Sequence, residues 1–149
     1  MISVRGEAAE VVLAETQAVL FLVQDEERRG RLADLIAAVQ DGELGDDEAQ
    51  ALEEVIELGL TTGRIRSIYG PEGEQAALKT YRRLPRGREL AASAREVTEA
   101  LEALEGKLLE RVQVQPAGPG AFVVTLGVEG LELSVRLDGA GARIHSVGV

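Results

Sequence analysis

The sequence predicts an α+β protein, in which a helical N-terminal part is followed by a helix packed on a four-stranded antiparallel β-meander. Apolar residues recur at helical spacing as far as about residue 109. From Val112 onward they alternate with polar residues, as in strands that bury one face. Short turn sequences separate these alternating segments. A chain of 149 residues has room for a helical part at residues 1–84 and a second part at residues 85–149.

The first helical segment is expected at about residues 7–40. The β-prone residues from Ala18 to Val23 also allow a strand there, with Asp25 as a cap after it. Polar residues favour a helix, because five of them recur at steps of seven, seven, four and three and therefore share one helical face. They are Glu10, Gln17, Gln24, Arg28 and Arg31. We therefore predict a helix that breaks, if at all, near Gly30.

Two more helices are predicted at about residues 47–69 and 71–84. Polar residues and glycines at 41–47 interrupt the chain, and Asp46 or Asp47 is expected to cap the helix that follows. Gly70 and Pro71 predict its end, because glycine accepts a left-handed cap and proline cannot continue a helix. Proline also suits the first position of the next helix, which is expected to end before Pro85.

The C-terminal part is expected to begin with an amphipathic helix from about Arg88 to Leu109. Its apolar residues step by four, three, four, three and four, and they are Leu90, Ala94, Val97, Leu101, Leu104 and Leu108. Four strands follow, separated by turns at residues 116–120, 129–130 and 138–141. Because loops of two to five residues join only antiparallel neighbours, the strands form a meander, and the helix is expected to cover its apolar face.

Composition excludes several classes of site. The chain has no Cys, which excludes disulfides, thiolate nucleophiles and Cys-based metal sites. Its one His, His145, excludes a multi-His metal site within one chain and is interpreted as a surface residue of the last strand. The acidic run at 41–48 departs from an EF-hand loop, and no glycine pattern matches a phosphate-binding loop. We therefore expect no metal ion and no cofactor.

The expected location is the cytoplasm. The first ten residues include Arg5, Glu7 and Glu10, whereas a secretory signal would become apolar there. The most apolar stretch, Val11 to Val23, is only 13 residues long and is too short to span a bilayer.

The 14 Arg against 2 Lys are typical of a GC-rich genome, and we expect a bacterial source.

Charge is unevenly distributed along the acidic chain. The formal net charge is -10, and basic residues concentrate near residues 79–88. The candidate site residues there are Arg82, Arg83, Arg86 and Arg88. These arginines either neutralise the acidic first half of the chain or bind an anionic ligand or an acidic partner. Nucleic acid is an unfavoured partner, because the net negative charge opposes long-range attraction to a polyanion.

The leading functional hypothesis is a non-enzymatic protein–protein interaction or oligomerisation module. Only 4 aromatic residues are present, whereas small-molecule pockets are usually rich in them. We expect a homodimer or a complex with another protein, through a surface that includes Val12, Val19, Leu22 and Val23. One alternative is a ligand-responsive regulator that binds an anionic ligand or nucleic acid through Arg82–Arg88. A hydrolase that uses a carboxylate pair in a cleft is a third.

Overall fold

The α+β class is confirmed by a computed structural model, which describes residues 1–149. The chain divides into a first unit, Met1–Arg88, and a second unit, Glu89–Val149. The helices are α1 (Glu7–Leu22), α2 (Glu26–Asp41), α3 (Asp46–Thr61), α4 (Arg64–Tyr81) and α5 (Pro85–Leu101). The strands are β1 (Arg111–Gly118), β2 (Ala121–Val128), β3 (Leu131–Asp138) and β4 (Gly141–Gly148). None of the helices combines the length and the apolar character that crossing a membrane requires.

Where the sequence predicted one helix at 7–40, the structure has α1 and α2, and the break precedes Asp25 and not Gly30. The Asp25 carboxylate accepts the backbone N–H of Arg28 at 2.9 Å and caps α2. The Arg29 guanidinium donates to the carbonyls of Leu20 and Val23 at 2.7 and 2.8 Å, which satisfies the end of α1. The alternative strand at 18–23 does not form, because α1 continues to Leu22.

The third helix begins at a glycine cap and ends earlier than predicted. Gly45, and neither Asp46 nor Asp47, is the N-cap of α3, so both carboxylates lie in the first turn, where they favour the helix dipole. The helix ends at Thr61 and not near residue 69, because Gly63 adopts φ 74° and begins α4.

The predicted break at residues 70–71 is a kink inside α4. Gly70 has φ 72° and ψ -176°, which interrupts the helix, and Pro71 begins the turn after it. The part of α4 before the kink and the part after it therefore point in different directions.

The core of the first unit is aliphatic and lies between α1, α2, α3 and α4. Gly59 permits the close approach of α3 and α4, because a Cβ there would lie 2.5 Å from Cδ1 of Ile65. The largest fully buried apolar side chains of the unit are Leu35, Leu44, Leu52, Ile56, Ile65 and Leu84.

The second unit contains a helix and a sheet with strand order β1-β2-β3-β4, and all neighbouring strands are antiparallel. The helix is shorter than predicted, since α5 ends at Leu101 and one 3₁₀ turn continues to Leu104. Gly106 then adopts φ 71°, which ends the helical path. Leu108, the last position of the predicted apolar stripe, is consequently 84% exposed.

Candidate functional site

One face of the sheet is entirely apolar. Directly opposed residues of antiparallel strands share a face, so each register line can be followed across all four strands. Three such rows, which we call the apolar face, contain no polar side chain. They are Val112, Leu126, Leu133 and Val147; Val114, Val124, Val135 and Ile144; and Pro116, Phe122, Leu137 and Ala142.

The charged side chains of the strands pair with one another away from this face. Arg111 contacts Glu132 at 3.2 Å, and Asp138 receives hydrogen bonds from Arg136 at 3.0 Å and Arg143 at 2.6 Å. The hydrogen bond from Arg136, the backbone N–H of Ala140 and the charge of Arg143 lower the pKa of Asp138. The strands therefore carry their charges separately from the apolar rows.

Helix α5 covers only part of the apolar face. Its residues Val97, Ala100 and Leu101 pack over β3 and β4, where Leu133 and Val135 are buried. On β1, in contrast, Val112 and Val114 are 61% and 60% exposed. We define the open patch as the neighbouring exposed residues of the apolar face outside the cover of α5: Val112, Val114, Phe122 and Leu137.

Neither edge of the sheet suits the addition of another strand. Pro116 in β1 has no N–H, and the pairing of β1 with β2 is irregular between Pro116 and Gly118. In β4 the register shifts opposite Ser134 and Val135, which leaves the exposed His145 as the extra residue of a bulge. Both irregularities hinder the pairing of another strand at an edge. The surface of the sheet that is available to a partner is therefore its face.

In the first unit, the predicted arginine cluster does not form a single site. Arg86 is engaged internally: its guanidinium donates to Glu57 at 2.6 Å and its backbone N–H donates to Glu53 at 2.6 Å. The hydrogen bond and charge of Glu57 raise the pKa of Arg86. Glu57 also accepts the Tyr81 hydroxyl at 2.7 Å, and burial together with this bond raises the pKa of Tyr81 to about 12.

The other three arginines have different surroundings. Arg83 donates to the Ser3 carbonyl at 3.0 Å and lines a groove, whereas Arg82 and Arg88 are exposed and have no ion-pair partner within 4.0 Å. The sequence predicts one site for Arg83 together with Arg82, Arg86 and Arg88, because the four residues are close along the chain. The fold instead places Arg83 near the N-terminal segment.

The groove that Arg83 lines has a volume of about 740 Å³. It lies between residues 3–8 and the part of α4 after the kink, and its rim carries the cations of Arg5, Lys79 and Arg83. Sequence reasoning missed this cluster because Arg5 is distant from the others along the chain. The remaining lining is mixed and includes Ser3, Val4, Glu7, Ala8, Pro71, Glu72, Gln75, Ala76 and Thr80.

The surface predicted on the first helix does not form as expected. Val12 is 1% exposed and belongs to the core, because α1 contacts α2, α3 and α4. Val19 and Val23 are half-buried and pack against that core. Of the four predicted residues only Leu22 is well exposed, next to the exposed Phe21.

One carboxylate in the first unit is buried. Glu15 is 2% exposed and accepts Arg64 Nε at 3.1 Å on each oxygen and the Tyr69 hydroxyl at 3.0 Å. Burial and the hydrogen bond to Glu15 raise the pKa of Tyr69 to about 12. Both oxygens therefore have protein donors, and the group links α1 to α4.

No group of three or more His, Asp or Glu side chains lies close enough together to hold a metal ion. No protein-family model, curated protein or solved structure matches this chain.

Proposed function

We propose that this protein is a non-enzymatic interaction module that acts as a homodimer, in which the open patch of one copy stacks on the open patch of a second. The observation behind this proposal is the incomplete cover of the apolar face. Val112 and Val114 continue rows whose β3 residues, Leu133 and Val135, are buried. A second apolar surface is needed to remove the rest of each row from water.

A second copy suits this surface better than a charged partner does. The chain has a net charge of -10, but the apolar rows contain no charged side chain. In a two-fold dimer the same patch meets itself, so an uncharged patch brings no like charges into contact. The ion pairs of Arg111, Arg136 and Arg143 stay solvated in this arrangement.

The size of the patch is compatible with a dimer. From the exposures of its four side chains, the open patch amounts to roughly 400 Å², a size at which apolar patches on monomers are often functional. Two stacked copies would bury about 800 Å² in total, which is the range of weak, reversible interfaces. Face-to-face stacking is favoured over edge pairing because Pro116 and the bulge at His145 disrupt the two edges.

Alternating residues of β1 provide a matched test. The double variant Val112→Asp/Val114→Asp places two charges in the patch, whereas Gln113→Asp/Gln115→Asp places two charges on the opposite face of the same strand. We expect the first variant to raise the dimer dissociation constant by at least about tenfold, and the second to leave it nearly unchanged. Sedimentation velocity measures both, and circular dichroism checks the fold. Equal effects of the two pairs would overturn the proposal.

The same proposal places the protein in the cytoplasm of a bacterium, supported by the charged residues among the first ten and by the short apolar stretch from Val11 to Val23. Fractionation of the source cells tests this location. The alternative regulator that binds through Arg82–Arg88 receives less support, because Arg86 is bound to Glu57 and Arg83 lines a groove that the other three arginines do not line.

A further inference from the structure

Of the eleven Lys and Arg side chains of the first unit, four form ion pairs and seven do not. Arg31, Arg64, Arg66 and Arg86 each have a glutamate within 4.0 Å. Three of the seven unpaired cations, Arg5, Lys79 and Arg83, line the same groove, although acidic residues outnumber basic ones in this unit. Three cations without an ion pair around one groove favour an anionic ligand there, although the protein as a whole is acidic.

The three cations reach the groove from two parts of the chain. Lys79 lies near the end of α4, after its kink, and Arg83 lies in the turn just beyond the end of the helix at Tyr81. One guanidinium nitrogen of Arg83 is fixed by the Ser3 carbonyl at 3.0 Å, while its other N–H groups stay available to a ligand. Arg5 lies in the chain segment that leads into α1.

The rest of the lining indicates the kind of ligand. Ala8, Pro71 and Ala76 give the groove an apolar portion, and its volume of about 740 Å³ is typical of a small-molecule site. Three cations against the carboxylates of Glu7 and Glu72 leave a net of one positive charge on the lining, which favours an anionic ligand.

We propose that this groove binds an amphipathic monoanion of the alkyl carboxylate class, with its carboxylate at Arg5, Lys79 and Arg83 and its alkyl chain along the apolar portion. Arginine and lysine donate charge-assisted hydrogen bonds to a carboxylate, and the chain gains from leaving water. This site lies within the first unit and is independent of the open patch on the sheet.

Calorimetric titration of the full chain with decanoate, below the concentration at which decanoate forms micelles, tests the proposal. We expect saturable binding, and at least about tenfold weaker binding by Lys79→Gln/Arg83→Gln. Arg82→Gln is the matched control, because Arg82 is a neighbouring exposed arginine that does not line the groove, and we expect it to bind like the unmodified chain. The uncharged 1-decanol should bind at least about tenfold more weakly than decanoate.

Lys79→Gln alone removes an exposed side chain without an ion-pair partner, so its fold should be intact, and several-fold weaker binding is expected of it as well. The Val112→Asp/Val114→Asp variant should bind decanoate normally, which separates this site from dimerisation. Absence of decanoate binding, or equal binding by the unmodified chain and Lys79→Gln/Arg83→Gln, would overturn the proposal.

Discussion

Val112 and Val147 lie on one row of the sheet, at its two opposite edges, and both are more than 60% exposed, whereas Leu133 in the same row is 3% exposed. The row is apolar throughout, so the difference comes from cover and not from residue type. Helix α5 lies over the interior of the row and leaves both ends in water. This relationship separates the residues that stabilise the fold from those that are available to a partner.

Truncation within that row should separate the two roles. Leu133→Ala leaves a cavity under α5, and we expect the free energy of unfolding to fall by about 2–4 kcal/mol. Val112→Ala removes an exposed side chain, and we expect a change below about 0.5 kcal/mol for the monomer. Urea unfolding followed by circular dichroism, at concentrations below the dimer dissociation constant, measures both. A larger loss for Val112→Ala would show that the assignment of covered and open residues is wrong.

Two glycines in helices should respond to alanine in opposite directions. Gly59→Ala should destabilise the first unit, because its Cβ would collide with Cδ1 of Ile65 at 2.5 Å and approach Glu15 at 3.4 Å. Gly30→Ala should stabilise the protein by about 0.5–1 kcal/mol, because Gly30 lies in the interior of α2 with nothing within 4 Å of the added Cβ. Thermal unfolding compares them, and a stabilising Gly59→Ala would contradict the close packing of α3 and α4.

The two tyrosines should ionise at a higher pH than a tyrosine that is free in water. Tyr69 and Tyr81 are the only tyrosines in the chain, and burial and the carboxylates of Glu15 and Glu57 raise both pKa values to about 12. Absorbance near 295 nm should therefore show little tyrosinate in the folded protein at pH 10–11. Glu15→Gln removes the charge beside Tyr69 only, so one of the two titration steps should move to lower pH. Ionisation of both groups near pH 10 in the folded protein would contradict these contacts.

The same shifts set the direction of the stability change at alkaline pH. Below pH 10 both phenols hold their protons in the folded and unfolded states. Between about pH 10 and 12 the unfolded chain loses these protons while the folded chain retains them, so stability falls as pH rises through this window. Urea midpoints at pH 9, 10 and 11 measure the trend. A constant midpoint, with the fold intact, would count against both hydrogen-bonded tyrosines.

The meander could be predicted from the sequence because its signal is local. Alternation from Val112 onward and glycine turns such as Glu129–Gly130 specify strands, register and the apolar face together. The breaks between the first helices depend on longer-range contacts. Arg29 satisfies carbonyls of α1 from within α2, and no periodic pattern contains that information.

The candidate sites were less predictable for related reasons. The open patch depends on where the cover of α5 ends, and the sequence predicted a helix to Leu109, whereas the helical path ends at Leu104. The groove joins Arg5 to Lys79 and Arg83 through the fold of the first unit. Spacing along the chain instead suggested Arg82–Arg88 as one cluster, of which Arg86 is bound to Glu57.

The mass of the unmodified protein in solution tests dimerisation through the open patch most directly. One chain has a mass of 15.9 kDa. Sedimentation equilibrium over a range of micromolar to millimolar concentrations should give a mass that rises to twice this value and then stays constant, as expected for a closed two-fold dimer. A mass of 15.9 kDa at every concentration would contradict the proposed function.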